Sequence, residues 1–231
     1  MKKLTIFCLA FLCSQVANAQ YWEFEKPNYE TIEVAVKDSS SPMYYPRLLG
    51  RFEDGDTTLT IAETRHLYYG FVFHPSYSLD SGFAKMDSLE LILQKQDHDK
   101  SDLRNIIAYG NEVLRQDPFE LNVMNYQLYA LEILQDSARY AKVLFKIEMV
   151  CETLMSSGDG SSSENAFYVI HPNHITVLLH ALGLRSGEER RSIGHYDYLE
   201  LAANDIGLEG LYFDLGPYRN FLSDSLRNNN L

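Results

Sequence analysis

The sequence predicts an α+β fold, mainly helical: stacked antiparallel helices with a tetratricopeptide-like middle, and a small antiparallel sheet near the C-terminus. Three observations predict it. Apolar residues recur at helical spacing from about residue 28 to 156. A Ser/Gly-rich stretch, SSGDGSSSE, breaks that pattern at residues 156–164. Beyond it, from about 165 to 225, short runs such as AFYVI, HYDYLELA and LEGLYFDL have strand character.

The chain opens MKKLTIFCLAFLCSQVANAQ. Lys2 and Lys3 form a basic start, residues 4–12 an apolar run, and Ala17 and Ala19 the small residues that a signal peptidase reads. This order predicts a secretory signal over residues 1–19, cleaved after Ala19, and a single domain over residues 20–231. A buried N-terminal helix is the alternative. Lipidation at Cys13 is disfavoured by the bulky Leu12 before it. Cleavage removes Cys8 and Cys13, so Cys151 is left without an internal disulfide partner. Set between Val150 and the acidic Glu152, it reads as a buried, inert thiol.

The formal net charge is −12, and loss of Lys2 and Lys3 makes it more negative. Nucleic acid and anionic membrane surfaces demand clustered Lys and Arg, so both are poor partners. No stretch after the signal reaches 18 apolar residues, so no membrane span is expected.

The elements follow in order. Residues 29–36 read as a short helix with Tyr29, Ile32 and Val36 on one side, and Ser39, Ser40, Ser41 and Pro42 break it. Residues 43–52 read as helical after Pro46, with a turn at Gly55. Thr60 and Glu63 form a capping box, so a helix should begin at Ile61. Its sequence continues TRHLYYG. One stripe carries Thr64, Tyr68 and Phe71, a second His66, Tyr69 and Gly70, which predicts burial on two sides. Gly70 either caps the helix or permits a close approach. Arg65 is expected to pair with Glu63 or Asp56.

Helices are expected over 83–96 and 101–116. Asp117-Pro118 should end one helix and place Pro118 in the first turn of the next, over 119–134. A further helix over 138–155 follows a joint at Gln135, Asp136 and Ser137. Short joints imply antiparallel neighbours. The string YGNEVLRQDPFELNVMNYQLYALEILQDSARYAKVLF resembles a tetratricopeptide pair. Leu128 and Tyr129 stand where that repeat wants small residues, and an ordinary helical hairpin stack explains the string as well. Residues 156–164 are expected to be a flexible loop. A strand at 166–170, a helix over 173–184, strands at 195–202 and 208–215 and a turn at Gly207 complete the reading.

YYPRLLGRFEDGDTTLT, ETRHLYYGFVF, SGDG followed by AFYVI, and LYFDL occur in that order. Together they resemble a family of exported bacterial proteins, the domain of unknown function numbered 4919, over roughly residues 29–221. The resemblance implies secretion and a single domain. It brings no reaction, cofactor or catalytic residue.

Candidate sites are few. His171, His174 and His180 could converge on a metal, but His174 and His180 stand six apart, which separates them on a helix. Glu53, Asp54 and Asp56 crowd a turn without the calcium-loop spacing. No metal and no cofactor is expected. There is no Gly-x-Ser-x-Gly. Arg65, His66, Tyr68 and Tyr69 are the candidate binding residues, and a packed core junction is the competing reading of the same cluster. With stacked helices, 16 tyrosines and no catalytic motif, the expected function is a non-enzymatic interaction module of the bacterial cell envelope, binding a protein or peptide. Its location would be periplasmic or extracellular. The alternative is a hydrolase acting on an envelope polymer, with acidic side chains and His66 or His195 as acid and base.

Overall fold

A computed structural model describes residues 24–77 and 85–228. The expected signal segment, with Cys8, Cys13 and the cleavage point, lies outside the described residues. So does the start of the helix expected from residue 83.

The predicted helices begin where their capping residues allow. Helix α1, Tyr29–Lys37, starts at Asn28, whose side chain accepts the Thr31 N–H, and it buries Ile32 and Val36. Helix α2, Tyr45–Asp54, carries Pro46 in its first turn and ends on Gly55 at φ 70°. Helix α3, Ile61–Gly70, has the full capping box: Glu63 N–H donates to the Thr60 hydroxyl, and Thr60 N–H donates to the Glu63 carboxylate at 2.8 Å. A 3₁₀ turn, Phe71–Phe73, continues it. Helix α3 is the centre of this region and packs against α1, α2 and α7. Gly70 is not a cap. A Cβ there would stand 2.8 Å from Val36 Cγ1, so glycine allows α1 to cross closely.

Helices α4 (Met86–Leu93), α5 (Lys100–Leu114), α6 (Leu121–Ile133) and α7 (Ser137–Met155) form successive packed pairs. Their own core is aliphatic: Leu89, Leu103, Ile106, Val113, Val123 and Leu131 are all buried. Gly110 lets α5 approach α6, where a Cβ would meet Gln127 Nε2 at 2.8 Å and Val123 Cγ1 at 3.1 Å. The joint between α5 and α6 departs from expectation. Pro118 is not in the first turn, because Asp117 Oδ1 accepts the Phe119 N–H at 2.8 Å and holds a separate turn before the helix starts at Leu121. That turn aims Phe119 into the aromatic core beside Phe52, Tyr68 and Phe71.

The serine-rich stretch is a loop, as expected, and its first residues pack inward. Ser156 and Ser157 are buried. The Ser157 hydroxyl donates to Leu154 O at 2.6 Å and accepts the Tyr168 N–H at 2.9 Å, tying the end of α7 to the sheet. A Cβ at Gly158 would lie 2.3 Å from Asn165 O, so the chain folds tightly back on itself there.

The sheet comprises β1 (Phe167–Tyr168), β2 (Ser186–Ile193), β3 (Tyr196–Leu201) and β4 (Gly210–Asp214), in the order β1-β4-β3-β2. It is mixed where an all-antiparallel sheet was expected. β2–β3 and β3–β4 are antiparallel, but β1 runs parallel to β4, pairing Phe167 with Phe213 and Tyr168 with Asp214. Helix α8 (His174–Ala181) and the β2–β3 hairpin lie between β1 and β4 in the chain, a crossover long enough for parallel pairing. β2 is largely exposed and bears Glu188, Glu189, Arg190 and Arg191, charges that suit an edge strand. Helix α9, Gly216–Asn228, closes the described chain.

Cys151 is buried, and burial pushes its thiol up to about 11. Among the described residues no helix is long and apolar enough to cross a membrane.

Candidate functional site

The cluster TRHLYYG folds inward. Arg65 is 6% exposed. Its Nη1 donates to the Ser156 hydroxyl at 2.7 Å, its Nη2 donates to Glu25 O, and its guanidinium lies over the Tyr69 ring. It does not take the expected partners. Arg51 holds both, with its Nε 2.7 Å from Asp56 and its Nη1 on Glu63. Glu63 is already fixed by the capping box, and Arg51 reaches it from the last turn of α2, while Arg65 points to the opposite side of α3. His66 is half-buried and donates through Nδ1 to Ala62 O at 2.7 Å.

Tyr68 and Tyr69 are wholly buried, and both hydroxyls are used. Phe119 O can only accept, so His174 carries its proton on Nε2 and donates there at 2.8 Å. His174 Nδ1 is then the acceptor for the Tyr68 O–H at 2.6 Å, and the Tyr68 oxygen accepts the Ile170 N–H at 3.2 Å. Burial keeps this imidazole neutral by holding its pKa well below the usual range. Tyr69 donates toward Tyr168 O at 3.3 Å. These are bonds that fix α3 against α8 and β1.

The three candidate metal-ligating histidines do not converge. His174 is committed to Tyr68 and Phe119. His171 packs its ring 5.2 Å from that of His174, and its Nε2 is 3.4 Å from Asp117 Oδ2 but too poorly aligned for a hydrogen bond. His180 is exposed. Among the described residues no group of three or more His, Cys, Asp or Glu could hold a metal ion. Burial pushes the Asp117 carboxyl up to about 7 and the His171 imidazole down to about 4, so near neutrality both tend toward their uncharged forms.

A cleft of about 630 Å³ opens directly behind Tyr69. Helix α1 gives it Tyr29, whose ring meets Tyr69 edge-on at 6.1 Å. The 3₁₀ turn gives Val72 and Phe73, and Tyr77 follows. The sheet gives Tyr168 and Asp214, which are paired across β1 and β4, and the β2–β3 turn gives His195. Pro217, Asn220 and Phe221 of α9 form the far wall. None of Arg65, His66, Tyr68 and Tyr69 lines it.

The polar groups of the cleft are few and specific. Asp214 is 5% exposed. Its Oδ1 accepts the Gly216 N–H at 2.7 Å at the start of α9, and its Oδ2 is 3.5 Å from His195 Nε2. Burial raises the Asp214 pKa above the ordinary carboxylate value, opposed by the Gly216 N–H and by the charges of Lys26 and Arg219. The Tyr29 hydroxyl is buried and makes no hydrogen bond. A buried donor left unpaired costs about 1–3 kcal/mol. Burial first, then the neighbouring tyrosines and Asp214, resist its ionisation. His195 stood out in the sequence as an acid–base candidate. Tyr29 was legible only as part of a helix face, and Tyr77, Tyr168 and Asp214 gave no signal, because the lining comes from five separate segments of the chain.

The fold and cleft define an α+β, mainly helical domain with an open aromatic cleft at one end of a mixed sheet. The chain belongs to the family described as domain of unknown function 4919 (DUF4919), whose model matches residues 30–223. No curated protein and no solved structure matches it.

Proposed function

We propose that the protein is a non-enzymatic interaction module of the bacterial cell envelope, exported as a chain that starts at Gln20, and that the aromatic cleft receives a segment of a protein or peptide partner. The observation that carries this reading is the lining: Tyr29, Phe73, Tyr77, Tyr168 and Phe221 around one open concavity, with an unpaired hydroxyl on Tyr29. Tyrosine and phenylalanine supply large contact areas at low entropic cost, and an unused buried hydroxyl is suited to a backbone carbonyl of an extended segment. Catalysis finds less support. Among the described residues, no serine, threonine or cysteine lines the cleft, and Asp214 is the one carboxylate.

One observation favours the alternative, a hydrolase: His195 and Asp214 form an imidazole–carboxylate pair within the cleft. The test is photo-crosslinking from Asn220, on the exposed rim, in the native envelope, run beside a panel of glycan and peptide hydrolysis assays. A protein partner captured at Asn220 and lost in Tyr168→Ala is the expected result. Turnover that vanishes in His195→Ala at unchanged melting temperature would overturn the binding reading. Intact mass of the protein from the producing cell tests export, and a mass that retains Met1 would refute it.

A further inference from the structure

A second concavity, of about 360 Å³, lies on another face, where the end of α2 meets α5, α6 and α7. Arg115, Arg139, Lys142 and Lys146 all line it. Four cations around one hollow are unexpected in a chain of net charge −12. They come from two places in the sequence, and only the antiparallel packing of α5 and α7 about α6 gathers them.

Three of the four make no ion pair. Arg139 is paired with Asp136 at 2.8 Å. Among the described residues, Arg115, Lys142 and Lys146 have no carboxylate within 4.0 Å. Among the described residues Glu53 is the single acid in the lining; without an ion pair it favours the charge of Lys146 more than Lys142 opposes it, and Asp54 adds to that. Lys146 is held over the Phe52 ring at 5.5 Å, and the charge of Lys142 opposes its own. Lys146 is half-buried, while Arg115, Arg139 and Lys142 are exposed around it, and burial disfavours the charge of Lys146 unless an anion joins it. One acceptor of the wall is taken: Asn111 Oδ1 accepts from Gln127 Nε2 at 2.8 Å. That leaves the Asn111 amide N–H groups as further donors. The floor is apolar, with Phe52, Leu114 and Val143.

From these features we infer that the concavity binds a small amphiphilic anion, its carboxylate or phosphate head between Arg115, Lys142 and Lys146 and its apolar body against Phe52, Leu114 and Val143. Charge-assisted hydrogen bonds hold the head. The apolar floor requires a body that inorganic anions lack. This site is independent of the aromatic cleft and of the function proposed for it.

Isothermal titration of the protein with octanoate, octyl phosphate, inorganic phosphate, octanol and octyltrimethylammonium tests the inference. Saturable one-site binding of octanoate or octyl phosphate is expected. Inorganic phosphate should bind at least about tenfold more weakly, which corresponds to about 1.4 kcal/mol. Octanol and the cationic amphiphile should not bind. The head group that binds more tightly distinguishes a carboxylate from a phosphate ligand. Arg115→Gln and Lys146→Gln should each weaken binding by about tenfold or more, from the loss of one charge-assisted contact. Arg115 is exposed, so its variant keeps the test valid if Lys146→Gln proves unstable. Absence of saturable binding by both anionic amphiphiles would overturn the inference. So would equal binding of octanol, or unchanged affinity in Arg115→Gln.

Discussion

The stack of α4–α7 and the junction of α1–α3 with α8 and the sheet both exclude water, but they are made of different material. In the stack, Leu89, Leu103, Ile106, Val113 and Leu131 form an aliphatic core, with Gln127 and Asp102 as buried polar side chains of its helices. In the junction, Phe52, Tyr68, Phe71 and Phe119 meet edge-on or tilted at 5.3–5.4 Å, and histidines, an aspartate and tyrosine hydroxyls are buried with them. Among the described residues, the buried side-chain atoms without a hydrogen bond belong to this second region: Tyr29 Oη, Tyr45 Oη, His171 Nε2 and Asn173 Oδ1. An aliphatic core is stabilised by burial alone and is indifferent to pH. An aromatic core with polar edges holds its members in one geometry, and its stability depends on the protonation of a few groups. The proposed binding cleft opens from the polar core, where tyrosine edges reach the surface.

Substitutions can break or sharpen this contrast. The largest effect is expected at Tyr68. Tyr68→Ala removes a wholly buried ring and leaves His174 Nδ1 and the Ile170 N–H without partners, for a loss of about 5 kcal/mol. Tyr68→Phe should recover the ring's share and not the hydrogen bonds, as read by urea unfolding. A Tyr68→Phe variant as stable as the parent would mean that the polar edges contribute nothing to this core.

Next in size is the pH response of Asp117. Its folded pKa is raised to about 7 from 3.8. Between those values the folded carboxyl keeps a proton that the unfolded one has lost, so this group's contribution falls as pH rises from about 4 to 7. The loss is at most on the order of 4 kcal/mol. His171 acts in the opposite sense: its folded pKa is lowered to about 4, so stability is lost as pH falls from about 6.5 to 4. The two slopes offset one another in the parent. Asp117→Asn retains an acceptor for the Phe119 N–H and exposes the His171 slope alone. Its stability relative to the parent should therefore increase with pH up to about 7, as measured by urea unfolding across that range. A constant difference would show that Asp117 ionises normally.

The stack supplies the control. Ile106→Ala should cost about 3 kcal/mol, by lost burial and a residual cavity, with the same value at pH 5 and pH 8. A pH-dependent loss there would erase the distinction between the two cores. The smallest effect is expected at the serine-rich loop that joins the regions. At Gly158 a methyl group would lie 2.3 Å and 2.4 Å from the carbonyl oxygens of Asn165 and Ala166. Gly158→Ala should cost about 2 kcal/mol through displaced backbone. Thermal unfolding would measure it, and an unchanged melting temperature would show that the serine-rich stretch yields freely.

How much was legible depended on whether the signal is local. The capping box fixed the start of α3 at Ile61 because all its atoms lie within four residues. The stripes through Tyr68 and Tyr69 did announce burial on two sides of α3. The periodicity of α5 marked Leu103, Ile106 and Ile107 as its buried face. β2 was not legible, since an exposed edge strand of SGEERRSI carries no apolar alternation. Helix α9 was missed although Tyr218, Phe221 and Leu222 stand at helical spacing in GPYRNFLSDSLRN. The serine-rich stretch has the composition of a loop and is one, and nothing in that composition announces the bonds of Ser157 to Leu154 and Tyr168.

The sequence by itself determined the α+β class, the helical boundaries set by caps and glycines, and the burial of the Tyr68–Tyr69 pair, because hydrogen bonds and hydrophobic periodicity between near neighbours act before any distant contact forms. Only the tertiary structure decided the partners. It gave Glu63 to Arg51, paired β1 in parallel with β4, set Tyr168 beside Asp214, and brought Arg115 to Lys142 and Lys146. Each of these joins residues whose separation in the chain carries no periodic signal. Their meeting follows from which apolar faces pack against one another, and polar side chains are then carried together as passengers of that packing.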